Sequence, residues 1–351
     1  MPRLRRVDCS TPGVTRRRAG RGFAYYDAGG GRIDDAEMRA RIQGLGIPPA
    51  WRDVWICPHP NGHLQATGTD AAGRRQYLYH LDWRKRRDQE KFDEMVDFAQ
   101  ALPALRARVA EDLAGRGLTR AVVMACSVRL LEVGFFRIGS EDYATRNDSY
   151  GLATMRKQHV SIGEGDVIVF DFIAKHGKRR VQAVADPLAS QVVGRLRRRR
   201  SGGDELLAYK EGGRWHDVRS HDINAYLKEV TGGDFSAKDF RTWSATVLAA
   251  IGLAVSGEVA DSPTRRKRAV NRAVQEVAHY LGNTPAVARA SYIDPRVVDA
   301  YHSGLTLLPA LEQAMRDGRP GQMAMHHPAV EAGVLDLINE RDASPALAHV
   351  A

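Results

Sequence analysis

Between positions 159 and 184 the sequence reads His159-Val160-Ser161-Ile162, then Asp166-Val167-Ile168-Val169-Phe170-Asp171-Phe172-Ile173, then Val181-Gln182-Ala183-Val184. The three runs are short and rich in β-branched and aromatic residues, the composition of strands. Gly163-Glu164-Gly165 and His176-Gly177-Lys178 separate them and supply two turns. The stretch therefore predicts a three-stranded β meander over 158–185.

On both sides of the meander the apolar period changes to that of a helix. Upstream, Phe92, Met95, Val96 and Ala99 recur at helical spacing, as do Leu105, Val109 and Leu113 after Pro103. Residues 121–136 form a nearly continuous apolar helix suited to the centre of a core. Downstream, Ser236-Ala237-Lys238-Asp239 resembles a capping box ahead of a helix over 240–251. A long basic helix over 264–281 can end at Gly282, and Thr284-Pro285 starts another. The first segment instead reads as strands: Phe23 to Tyr26, Val54 to Cys57, His63 to Thr67 and Gln76 to His80, interrupted by a short helix over 34–45 that Asp34 can cap. The fold class is α+β, a small β-rich N-terminal domain followed by a larger, mainly helical domain holding the meander. The expected organisation is a basic extension over 1–20, the β-rich domain over 21–88, the helical domain over 89–310 and a loosely structured tail over 311–351.

Composition narrows the function. The chain has 351 residues, 43% hydrophobic and 27% charged, as a globular protein has. No apolar run reaches the ~18 residues of a membrane span, and no apolar stretch follows the N-terminal arginines as in a secretory signal. With three separated cysteines, Cys9, Cys57 and Cys126, a disulfide framework is not expected and a cytoplasmic setting is. The net charge is +10, yet the residues from Leu311 onward carry −3, so the first 310 carry +13. Arginine clusters at 3–6, 16–18, 84–87, 197–200 and 265–268 favour a dense polyanion as partner.

No Walker loop, no GxGxxG after a strand and no HExxH is present. His59 and His63 are separated by Pro60 and Gly62 and do not share a helix face. No Asp/Glu cluster suits a pair of Mg²⁺ ions, so neither a metal nor another cofactor is expected. A basic protein of this kind either only binds nucleic acid or transfers a phosphoryl group with side chains alone. The second option needs guanidinium forks on the non-bridging oxygens, a nucleophile, and a proton for the departing 5′ oxygen. Arg137 follows the apolar helix, Lys175 stands at the tip of the meander, Lys238 and Arg241 lie three apart on a capped helix, and Tyr292 follows Asn283 by nine residues. Each has an ordinary structural reading when taken singly.

In combination and order, these segments resemble the type IB DNA topoisomerases of the short poxvirus-like and bacterial kind, over about residues 20–305. The motifs are Phe136-Arg137-Ile138-Gly139-Ser140 with Tyr143, Gly151-Leu152 with Thr154, the lysine hairpin, Lys238-Asp239-Phe240-Arg241-Thr242-Trp243, and Leu281-Gly282-Asn283-Thr284-Pro285 with Ser291-Tyr292-Ile293. The resemblance implies the tyrosine recombinase/topoisomerase IB type of helical domain. It implies Tyr292 as nucleophile, Arg137, Arg241 and Asn283 as ligands of the non-bridging oxygens, and Lys175 as general acid. It also implies relaxation of supercoils without ATP or a required metal. Gln76, Tyr77, Tyr79, Tyr143 and Lys238 match DNA-contact positions of the family, and 21–88 matches its DNA-clamping domain. The expected partner is double-stranded DNA, held by a monomer as by a clamp.

Two positions depart from the poxvirus pattern. Asn283 replaces a histidine and can donate a neutral hydrogen bond but cannot titrate. Ser140 replaces a base-reading lysine, so the poxvirus pentamer preference is not expected. The alternatives are a tyrosine site-specific recombinase, which shares the chemistry but usually shows His-x-x-Arg at the second arginine, or a non-catalytic DNA-binding protein.

Overall fold

The computed structural model describes residues 3–257, 262–318 and 321–349, without the side chains of 142, 143, 257 and 321–323. It divides into two compact units, residues 1–93 and 94–351.

In the first unit, strands β1 (Val14–Ala19), β2 (Gly22–Tyr26), β3 (Arg52–Ile56), β4 (Leu64–Thr69) and β5 (Arg75–Tyr79) form one antiparallel sheet in the order β2-β1-β3-β4-β5. Helix α1 (Ala36–Gly44) lies between β2 and β3 in the chain, capped by Asp35, whose carboxylate accepts the Met38 N–H at 2.7 Å. Val14, Ile42, Val54, Ile56 and Ala66 make the core, with Met38, Trp51 and Leu78 packed against it. The stretch 1–20 is thus more than a basic extension, because residues 14–19 pair with both β2 and β3. Its arginines are used locally. The Arg16 guanidinium lies 4.1 Å from the Phe23 ring centroid and donates to the carbonyls of Ile47, Pro48 and Trp51, and Arg17 covers Tyr26.

Helix α2 (Leu81–Leu113) follows β5 and supplies residues to both units. In the second unit come α3 (Arg120–Gly134), α4 (Glu141–Asn147), the meander β6 (Val160–Ile162), β7 (Val167–Ala174) and β8 (Lys178–Ala185), then α5 (Pro187–Arg198). A hairpin β9 (Ala208–Glu211) and β10 (Arg214–Asp217) precedes α6 (Ser220–Thr231), α7 (Ala237–Gly257), α8 (Pro263–Leu281), α9 (Pro285–Ser291) and α10 (Pro295–His302). The chain ends with β11 (Leu305–Thr306), α11 (Leu308–Arg316), α12 (Pro328–Ile338) and β12 (Ala348–His349), where β11 pairs with β12. The meander has the expected antiparallel order β6-β7-β8, and α3 is the expected buried helix. Helix α7 is central: it packs on α3, α8, α10, α11 and α12, and Phe240 meets Phe98 edge-on at 4.9 Å. Among the described residues no helix is long and apolar enough to cross a membrane.

The described residues of 311–351 are not loosely structured. Val330, Val334, Leu337 and Ile338 of α12 are buried. Glu331 receives both Nη groups of Arg106 at 2.6 Å and the Trp243 indole N–H at 3.2 Å, while the Nε of Arg106 donates to the buried Glu132 at 2.5 Å. Part of the acidic charge of this segment is therefore used inside the fold. Removing one partner of such a buried network leaves charge and N–H groups unpaired, so Glu331→Ala is expected to cost about 3–5 kcal/mol of stability. Urea unfolding measures it; a loss below about 1 kcal/mol, typical of a surface pair, would contradict the packing described.

Candidate active site

The site is built where α3, α7, α8 and α9 bring their ends together. Helix α3 stops at Phe135, a bulky residue in the left-handed region at φ 52°, a conformation that costs roughly 1–3 kcal/mol unless its surroundings enforce it. Here the surroundings do so: the Phe135 carbonyl accepts Nη1 of Arg241 at 2.6 Å, and its ring stacks on Tyr280 with centroids 5.8 Å apart. The chain then presents Arg137. The loop that follows is held to the Gly151-Leu152-Ala153-Thr154 segment by Leu152 N–H to the Arg137 carbonyl at 2.9 Å and Ala153 N–H to the Ile138 carbonyl at 2.7 Å. The glycines of both motifs have a steric reason. A Cβ on Gly151 would fall 2.5 Å from the Gly139 backbone, and Gly139 itself has φ +84°.

Arg241 is 4% exposed. Its Nη2 donates to the Leu281 carbonyl at 2.9 Å, so one guanidinium ties the turn after α3 to the turn after α8. The expected capping box at the start of α7 is half realised: the Asp239 carboxylate accepts the Ser236 N–H at 2.8 Å and its hydroxyl at 3.1 Å. Helix α8 ends at Gly282 with φ +61°, as expected, and Asn283 follows it, half-buried. The Oδ1 of Asn283 accepts an N–H of Arg137, while its Nδ2 is buried without a hydrogen-bond partner, as is Nε of Arg241. A buried donor without a partner is costly, and both of these lie beside the guanidiniums that could share an anion with them.

Tyr292 caps the end of α9, where Thr284 and Pro285 make the expected start. The Arg241 guanidinium carbon lies 5.2 Å from the Tyr292 ring centroid. Burial alone would raise the phenol, but Arg241 first, then Arg137 and Lys238, outweigh it and lower its pKa. Burial, then Arg137, brings the Arg241 guanidinium down to about 10, which leaves it a cation at neutral pH. The Tyr292 backbone is fixed by α7. Thr246 Oγ1, wholly buried, accepts the Asp294 N–H at 3.1 Å and shares its proton between the carbonyls of Thr242 at 3.0 Å and Tyr292 at 3.2 Å.

Lys175 is exposed at the β7–β8 turn, where His176 and Gly177 have φ +68° and +69°. It shares with Arg137, Arg180 and Gly282 the lining of a cleft of about 510 Å³. Arg137, Arg241, Asn283 and Tyr292 are thus brought together, and Lys175 stands at the same cleft as Arg137. Lys238 is exposed one turn before Arg241, and Tyr143 lies on α4 with its side chain outside the described residues. In the other unit Gln76 donates to Asp70 at 2.9 Å, and Tyr77 and Tyr79 on β5 are 49% and 38% exposed with rings stacked 6.2 Å apart. Among the described residues no three His, Cys, Asp or Glu side chains are grouped to hold a metal ion.

Comparison with known proteins places the chain in a class. Residues 80–308 match the catalytic core of eukaryotic DNA topoisomerase I, and residues 22–70 match the N-terminal domain of bacterial DNA topoisomerase IB. The protein is therefore an isomerase that acts on DNA. It is 31% identical to DNA topoisomerase 1B of Acanthamoeba polyphaga mimivirus over 299 residues, covering 83% of this chain and 88% of the relative. DNA topoisomerase 1 of Daucus carota is 25% identical over 159 residues, 45% of this chain and 19% of the relative. The chain belongs to the type IB DNA topoisomerase family.

Proposed function

We propose that the chain relaxes supercoiled DNA by opening one strand with Tyr292. The phenolate oxygen attacks the phosphorus of a backbone phosphodiester, the bond to the 5′ oxygen breaks, and a 3′-phosphotyrosyl link and a 5′-hydroxyl result. Arg137 and Arg241 hold the non-bridging oxygens as charge builds on them, and Asn283 donates a further hydrogen bond. Lys175 passes its proton to the leaving 5′ oxygen. The free strand swivels, the 5′-hydroxyl attacks the phosphotyrosine, and the bond is remade with the proton returned. The phosphoryl ester is conserved throughout, so no nucleotide is consumed, and four fixed donors take the place of a metal. Gln76, Tyr77, Tyr79, Tyr143 and Lys238 hold the duplex, and the enzyme works as a monomer that encloses it.

The observation that carries this reading is the phenol of Tyr292 set against Arg241, with Arg137 bonded to Asn283 beside it and two buried donors left for an incoming anion. EDTA-treated enzyme without ATP is expected to relax plasmids of either supercoil sign. A strict requirement for a divalent cation or for ATP would overturn the proposal. Strand exchange between two site-bearing DNAs, in place of relaxation, would favour a recombinase.

A further inference from the structure

Arg180 is a cation of the cleft with no part in that scheme. Arg180 is half-buried on β8, opposite Phe172 of β7. Its Nε donates to Oε1 of Gln182 at 2.9 Å, and its Nη2 donates to the carbonyl of Tyr280. Gln182 Nε2 in turn donates to the carbonyl of Gly134. Tyr280 lies three residues before Asn283, and Gly134 three before Arg137. The two side chains therefore fasten the strand that leaves the Lys175 turn to the last residues of both α8 and α3.

Arg180 also stands close to Gly282. A Cβ added to Gly282 would lie 2.2 Å from its Nη1 and 3.9 Å from Nη1 of Arg137. Among the described residues no carboxylate pairs with Arg180, and burial, then Arg137, depress its pKa. A cation kept among like charges without a counter-ion is an expensive strut, so its geometry has to serve more than the packing of β8. The turn that precedes β8 is short, exposed and left-handed at two successive residues.

We propose that Arg180, with Gln182, is a positioning residue that sets the β7–β8 turn, and so Lys175, against the turns bearing Arg137 and Asn283. The proposal rests on the general-acid reading of Lys175. The test compares single-turnover cleavage of an ordinary duplex with that of one carrying a 5′-bridging phosphorothiolate, whose sulfur leaves without a proton.

Arg180→Ala is expected to cleave the phosphodiester about 10²-fold more slowly, the cost of a displaced catalytic group. It should recover most of that loss on the phosphorothiolate, with duplex binding unchanged. Arg180→Lys keeps one donor for the Tyr280 carbonyl and should fall between wild type and Arg180→Ala. Gln182→Ala should show a smaller defect with the same recovery, which provides a second route if Arg180→Ala folds poorly. Lys175→Ala is run in parallel. If Lys175→Ala is rescued by sulfur and neither Arg180→Ala nor Gln182→Ala is, the positioning role falls while the general acid stands. If Lys175→Ala is not rescued, the general-acid reading itself falls, and this proposal with it. Wild-type cleavage of the phosphodiester by Arg180→Ala also overturns it.

Discussion

Tyr292→Phe is expected to bind duplex DNA and to relax none of it. The substitution removes one oxygen and leaves everything that places the ring: the α9 cap at Thr284, the Thr246 contact to the Tyr292 carbonyl and the Arg241 guanidinium over the ring face. The loss is therefore of the nucleophile and not of the fold. Denaturant-trapped covalent complex on end-labelled DNA should fall to background with plasmid relaxation, while the binding isotherm and the thermal transition stay those of the parent. Relaxation by the variant at a measurable fraction of the parental rate would mean that another group attacks the phosphorus.

Arg241→Ala is expected to lower single-turnover cleavage by at least about 10²–10³-fold, the usual cost of losing one fixed donor at a developing oxyanion. Three effects add in the same direction. The guanidinium is lost from the anion site. The carbonyls of Phe135 and Leu281, held at 2.6 and 2.9 Å, lose the donor that joins the Arg137 turn to the Asn283 turn. The phenol of Tyr292 also loses the largest influence that lowers its pKa, so its pKa rises above that of the parent. The phenolate is the attacking form, and its fraction at a given pH falls as that pKa rises. Cleavage by the variant should therefore keep climbing with pH beyond the point where the parent levels off. Arg241→Lys is not a conservative repair, because an ammonium cannot present a fork to two carbonyls and still face the ring. A pH profile unmoved by either substitution would sever the link between Arg241 and the nucleophile.

The sequence was most legible where a local rule decides the backbone. Gly282 at the end of α8, Pro285 at the start of α9 and the turn at 175–177 follow from single residues, and these place Asn283, Tyr292 and Lys175. The hairpin β9–β10 rests on an equally local signal. Gly212-Gly213, both at positive φ between Ala208–Glu211 and Arg214–Asp217, is a strong two-residue hairpin signal. Other features depend on partners far away in the chain. Glu331 is an ordinary acidic residue until Arg106, 225 positions earlier, closes on it. Arg16 and Arg17 read as a solvated cluster until β2 pairs with β1 and brings the rings of Phe23 and Tyr26 diagonally against them. Arg180 likewise sits in a basic run, Lys178-Arg179-Arg180, and nothing in that run separates the residue that holds the Tyr280 carbonyl from its neighbour Arg179, which pairs with Asp171 on the adjacent strand.

The fixing of the Tyr292 backbone by Thr246 has a mechanical consequence. In the proposed reaction the tyrosine is the anchor of a DNA end while the other end rotates, so the torque of the uncoiling duplex is felt at that one residue. Helix α9 has only seven residues. The contacts of Thr246 to the Tyr292 carbonyl and the Asp294 N–H pass the load sideways into α7, the helix that also carries Arg241. Tyr292 and Arg241 are thereby tied to one helix, which favours the alignment of the phosphorus for the return attack.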